Sequence, residues 1–226
     1  MLIDLIRGII SGDGFDIGYI LSSIAVMLLM IFLILPVHEF AHAGVAYLLG
    51  DKAIKRRGRL SLNPLNHIDI AGALCMLLLG FGWAKAVPID PRNFKRPKLY
   101  MGITALAGPV SNILCGMLGG AVHLVLTFFA TEFLWGTFVG QFLDLFLYYY
   151  VSINATLAVF NLIPIPPLDG SKVLFVFLPD KAVEFCYRYQ RYSFILIYIL
   201  IFTGALNGVL NLLSGFIMKI CYFFFI

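Results

Sequence analysis

Two histidines and a glutamate fall within five residues of this chain: His38, Glu39, Phe40, Ala41 and His42. The 226 residues hold only three Glu and four His, so this grouping is not a by-product of composition. On a helix, residues four apart share a face. Two imidazoles on one face can grip a single metal ion, with Glu39 beside them as a general base. Zinc hydrolases use three protein ligands and keep one position for water, so a third ligand is required. The segment Asn161–Gly170, NLIPIPPLDG, is where to look. Pro164, Pro166 and Pro167 cannot continue a helix. The carbonyls freed there need a polar pocket, and Asp169 follows directly. The other role open to Asp169 is to cap the next helix. For His38, Glu39 and His42 the plainer reading is a satisfied pair of buried histidines with an ion-paired Glu, although no Lys or Arg lies in that span to pair with Glu39.

The elements that must hold these residues are membrane helices. Hydrophobic residues make up 61% of the chain and charged residues 12%, against about 45–50% and about 25% in soluble domains. That composition excludes soluble, disordered and fibrous classes. The long apolar runs do not alternate, which excludes a transmembrane β-barrel. The expected fold class is therefore an all-α polytopic membrane protein. A span needs about 20 apolar residues. Residues 17–37 (with a helical pattern running on to about Leu49), 102–129, 138–163 and 193–217 qualify, giving about four transmembrane helices. Ile70–Trp83 has only 14 residues and several glycines, which suits a re-entrant or interfacial segment better than a full span. Met1–Ile10 reads as a short interfacial helix, not a signal peptide.

Ten of the sixteen Lys and Arg lie between Lys52 and Lys98, and four more between the third and fourth spans. If Ile70–Trp83 does not cross, both groups face one side, which the positive-inside tendency makes the cytoplasm. The first and third spans then run in the same direction. Their ends, carrying His38, His42 and Asp169, meet at the cytoplasmic side. The basic loops suit lipid headgroups, and no basic–aromatic module for nucleic acid is present. The four cysteines have neither metal-type spacing nor a disulfide framework and read as small buried thiols.

The other polar residues of the spans carry open roles. Asn112 and Asn161 suit either interhelical hydrogen bonding or stabilisation of an oxyanion. His67, in a turn-rich stretch, reads first as a hydrogen-bonded loop residue, and His123 as an interhelical partner.

These residues resemble the site-2 protease family of intramembrane zinc metalloproteases. The resemblance covers roughly Pro36 to Val173. It rests on HEFAH at 38–42, NPLNHID at 63–69, GFGWAKAVPIDPRNF at 80–94, AGPVSN at 107–112 and NLIPIPPLDG at 161–170. It implies one Zn²⁺ per chain held by His38, His42 and Asp169, with Glu39 catalytic. The family's two asparagine positions map onto Asn112 and Asn161. The chain looks like the small bacterial subgroup without a PDZ or cystathionine-β-synthase domain, with Ala86 where that subgroup has a proline. The resemblance implies a single integral-membrane protease domain, with a core of about 17–173 and an extra C-terminal helix at about 193–217. It also implies a membrane-inserted β-hairpin near the site over Gly80–Asn93, and a multi-pass location in the bacterial plasma membrane. Its substrates would be transmembrane-helix proteins. Two rival readings of the residues are a metal transporter or channel and a catalytically silent scaffold. The intact HEFAH argues against silence, because a scaffold needs no general base. The oligomeric state is open.

Overall fold

The computed structural model describes residues 24–25, 28–79 and 82–223. Met1–Ile10 and the start of the first span lie outside the described residues. A π-helical turn, Met30–Ile34, leads into α1, Leu35–Leu49. Pro36 stands where the π-helical turn passes into α1, inside the continuous helical stretch, and Gly50 ends α1 at φ 129°. Two short helices follow, α2 (Ala53–Arg56) and α3 (Ile70–Leu79). The ten residues of α3 rise about 15 Å, half the hydrocarbon thickness of about 30 Å, too short for this helix to cross by itself.

Then come α4 (Pro97–Phe129), α5 (Thr131–Gly136) and α6 (Phe138–Asn161). The chain ends with α7 (Asp169–Phe175), α8 (Asp180–Arg188), α9 (Gln190–Phe202) and α10 (Asn207–Phe223). Among the described residues, three helical stretches are long and apolar enough to cross a membrane: Ile31–Leu49, Pro97–Phe129 and Phe138–Asn161. The second and third match the expected spans 102–129 and 138–163, and the first takes in the end of the expected 17–37 with its continuation to Leu49, the earlier part of that span lying outside the described residues.

The fourth expectation needs correcting. Residues 193–217 are not one continuous helix: α9 and α10 meet at 84° across a four-residue break. Gly204, at φ 70°, makes the corner. The expected β-hairpin does not appear either, since no strand forms among the described residues. Residues 82–90 form neither helix nor strand, and with the single turn Pro91–Asn93 and Phe94 they make one loop leading to α4. Pro88 and Pro91 supply no donor. The Lys85 N–H goes to the His67 carbonyl at 2.8 Å, and the Val87 N–H goes to a side chain of α1.

The long α4 is the centre of the bundle and packs against α1, α6, α7 and α10. Lipid chains supply no hydrophobic drive between helices, so close backbone approach has to do the work. The glycines of α4 permit it: Gly119 abuts Tyr150 and Val151 of α6, and Gly116 and Gly120 abut Cys221 of α10. The outer faces carry exposed Leu114, Leu118, Val125, Phe128 and Phe142, as an acyl-chain environment requires. Of the four cysteines only Cys221 is buried; Cys75, Cys115 and Cys186 are half-buried, and all are free thiols. Away from α1, the His123 ring on α4 joins Asp144 of α6 at 2.8 Å and Tyr222 of α10 at 3.0 Å. That network ties three helices together at a single imidazole. At the other end of the bundle, Val87 and Phe94 of this loop pack into a core with Ala43, Ala46 and Ile54.

Candidate metal centre

His38 and His42 lie one turn apart on α1, so their rings share a face. The two Nε2 atoms stand 3.1 Å apart. Asp169 Oδ2 lies 3.0 Å from the His42 Nε2 and 3.3 Å from the His38 Nε2. All three residues are buried. Asp169 opens α7, but Leu168 is the N-cap position and the Asp169 side chain makes no capping bond. Its carboxylate instead faces the imidazoles, and Lys172 Nζ holds the other oxygen, Oδ1, at 3.0 Å. Gly170 lets this turn nestle against the end of α6, where a Cβ would collide with the carbonyls of Leu162 and Ile163.

The far side of each ring decides its chemistry. His38 Nδ1 lies 2.5 Å from Asn112 Oδ1, and His42 Nδ1 lies 2.7 Å from the Thr104 carbonyl. A carbonyl can only accept, so His42 carries its proton on Nδ1. The Asn112 amide is oriented by a chain of donors: its Nδ2 donates to Asn154 Oδ1 at 3.1 Å, and Asn154 Nδ2 donates to the Tyr150 carbonyl at 2.9 Å. His38 therefore also donates from Nδ1. In neutral imidazoles both Nε2 atoms are then bare lone pairs, aimed at each other and at a carboxylate oxygen. Three acceptors at 3.0–3.3 Å with no proton to share call for a cation among them.

The spacing fits zinc: bonds of about 2.0–2.1 Å in a tetrahedron imply ligand–ligand edges of about 3.3 Å. The two-nitrogen, one-oxygen set also leaves a fourth position open, as catalytic zinc sites do. Both histidines have the oxygen partner on the second nitrogen that orients metal-bound imidazoles.

Gly108 of α4 completes the enclosure. A Cβ there would overlap the rings of both His38 and His42, so the helix backbone itself forms one wall. The opposite side opens into a cleft of about 310 Å³ lined by the three candidate ligands, Glu39, Trp83, Val87, Asn161 and Phe194. Glu39 is buried, and its Oε2 accepts the Val87 N–H at 3.2 Å. Among the described residues no Lys or Arg makes an ion pair with it.

The two asparagines part company. Asn161 lines the cleft, with its Nδ2 on the Leu157 carbonyl at 3.1 Å. Asn112 stands behind His38 with both ends of its amide engaged. His67 is a loop residue whose Nε2 donates to the Ser61 carbonyl at 2.7 Å.

Four contributors escaped the sequence reading. Thr104 acts through its backbone and leaves no side-chain signal, and Asn154 is one polar residue among several in an apolar span. Gly108 looks like any small packing residue. Lys172 did carry a signal: it follows Asp169 by three on a helix, the spacing of a side-chain pair.

The sequence pattern of peptidase family M50 matches residues 26–203. The chain is 35% identical over 185 residues to a protein of Bacillus subtilis (strain 168) named as a zinc metalloprotease, YwhC, covering 82% of this chain and 84% of that protein. It is 29% identical to a Mycolicibacterium smegmatis protein named as a zinc metalloprotease, Rip2, covering 83% of this chain and 71% of the relative. The Rip2 protein of Mycobacterium tuberculosis (strain H37Rv) is 28% identical, over 77% of this chain and 65% of its own length. No solved structure matches.

Proposed function

This chain belongs to peptidase family M50, as a zinc metalloprotease whose apolar helices make it a membrane protein, and from that premise we propose that it hydrolyses peptide bonds in or near the transmembrane segments of other membrane proteins. The observation that carries the reading is the meeting of three bare acceptors with a carboxylate free of any Lys or Arg ion pair among the described residues, Glu39, on the wall of one cleft.

In this reading His38, His42 and Asp169 hold one zinc ion. Bound zinc supplies Lewis acidity, which polarises the scissile carbonyl and makes water more acidic. Glu39 takes the proton of the attacking water on its carboxylate and returns it to the leaving amide nitrogen. The Val87 N–H aims that carboxylate. Lys172 turns Asp169 so that only Oδ2 faces the imidazoles. Asn161, on the cleft wall, contacts the substrate backbone beside the reacting carbonyl. Asn112 supports His38 from behind.

A substrate helix has to unwind before its carbonyl can be reached. The loop residues 82–90, on the cleft wall, offer backbone groups along which an unwound segment can lie. Residues 17–173 and the C-terminal helix pair act as one domain, with α9 and α10 together as the fourth crossing. The chain sits in the bacterial plasma membrane. The ends of α1 and α6, the start of α4 and the basic residues 52–98 face the cytoplasm, so the site opens toward that side.

The test is reconstitution into lipid vesicles with a test protein carrying a single transmembrane helix. Cleavage in or next to the apolar segment, mapped by mass spectrometry, is expected. Phenanthroline should stop it and added zinc restore it. Metal flux across sealed vesicles without any cleavage would overturn the reading.

The support of His38 is testable separately. Asn112→Leu is expected to weaken zinc binding by about 10- to 100-fold, the usual cost of removing an orienting partner. Chelator competition on the purified protein measures it.

A further inference from the structure

The loop that aims Glu39 is itself fastened by a buried carboxylate that no part of the mechanism above uses. Asp51 follows directly on α1 and is wholly buried, at 0% exposure. No Lys or Arg pairs with it among the described residues. Its oxygens are instead occupied by N–H donors. Oδ2 accepts the Asp90 N–H at 2.9 Å. Oδ1 accepts Asn93 Nδ2 at 2.8 Å and the Ala53 N–H at 3.3 Å. Two of these three donors, on Asp90 and Asn93, belong to the loop that carries Val87. A buried ionised group without a countercharge is costly unless its hydrogen bonds are good.

The surroundings show a seat shaped for this loop. A Cβ on Gly50 would meet the Asn93 carbonyl at 2.9 Å. Arg57 Nη1 donates to the Pro88 carbonyl at 2.9 Å. Val87 and Phe94 drive their side chains into the core beside α1. Between these anchors only one backbone donor, the Val87 N–H, points at Glu39.

We propose that Asp51 is a positioning residue for catalysis: it ties the end of the loop carrying Val87 to the end of the helix carrying Glu39, and so fixes where the Glu39 carboxylate points. This rests on the assignment of Glu39 as the general base. Apolar packing alone allows the loop to slide along α1, whereas two directional bonds to one carboxylate do not.

The test compares the full-length zinc-loaded protein with Asp51→Asn. Asparagine keeps the shape but sets an NH2 group against one of the loop's donors. The kcat for the test substrate is expected to fall about 10²-fold, the effect of a misplacement near 1 Å, with KM unchanged and zinc still one per chain. The double variant Asp51→Asn/Asn93→Asp restores a donor–acceptor pair with the roles exchanged, and kcat should recover. Amide hydrogen exchange is read on the same proteins. Asp51→Asn should quicken exchange in residues 85–93 about tenfold, the equivalent of one hydrogen bond, while α1 and α4 stay protected.

The exchange measurement needs no substrate. A wild-type protein that cleaves nothing therefore counts against the proposed function alone, and the exchange result still decides whether Asp51 holds the loop. Unchanged exchange with unchanged kcat overturns the proposal. So does loss of zinc together with activity, which would make Asp51 a support of the metal centre or of the whole fold. A slower enzyme that the double variant does not rescue also overturns it.

Discussion

Glu39→Gln is expected to lower kcat by about 10²- to 10⁴-fold, the span attributed to a positioned general base, while leaving one zinc per chain. The geometry separates the two outcomes. Glu39 lies next to His38 in sequence but is not among the three converging donors, and its Oε2 is turned to the Val87 N–H instead. Glutamine keeps the length and volume of the side chain, so the cleft and the two imidazoles are undisturbed. The change removes only the ability to take up a proton and give it back. Single-turnover cleavage, with metal content measured on the same sample, reads both quantities. Full activity in Glu39→Gln would exclude Glu39 as the base.

Asp169→Ala should remove the metal as well as the activity. Two imidazoles one turn apart leave an ion with half of a tetrahedral set. The loss of zinc affinity should exceed the 10- to 100-fold typical of an orienting partner. Lys172 would also lose its carboxylate and sit as an uncompensated cation beside the cleft. Asp169→Glu should retain weak binding, because the longer arm misplaces the oxygen. Chelator competition ranks the three proteins. An Asp169→Ala protein that keeps zinc with wild-type affinity would show that Asp169 is not a ligand.

Much of this centre is legible in the sequence alone. Metal-type residues are rare in apolar helices, so His38, Glu39, His42 and Asp169 stood out against their background. The direction of three spans could be read from the charged loops, and that put the residues at one end. What escaped has physical causes. Hydropathy reports that residues 193–217 are apolar but not that the chain turns within them. Only the positive φ of Gly204 does that. The hairpin expected over Gly80–Asn93 comes from the family resemblance, not from any pairing pattern in these residues. The loop's donors instead go to His67 and Glu39, contacts far away in sequence. Asp51 reads as an ordinary charged residue after a helix. Its importance lies in being buried, which no local pattern shows.

The glycine wall has a consequence for how the two helices line up. On α4, Thr104, Gly108 and Asn112 recur every four residues, facing His42 and His38, themselves four apart on the oppositely directed α1. Sliding α4 by one turn, about 5.4 Å, would bring Thr104 or Asn112 to the place of Gly108. The new Cβ would then overlap the rings. In an apolar medium many sliding positions of smooth helices differ little in energy, since lipid competes evenly for every contact. Here one register alone gives both imidazoles their oxygen partners and leaves space between them. The metal centre is thus also the gauge that sets the alignment of α1 and α4.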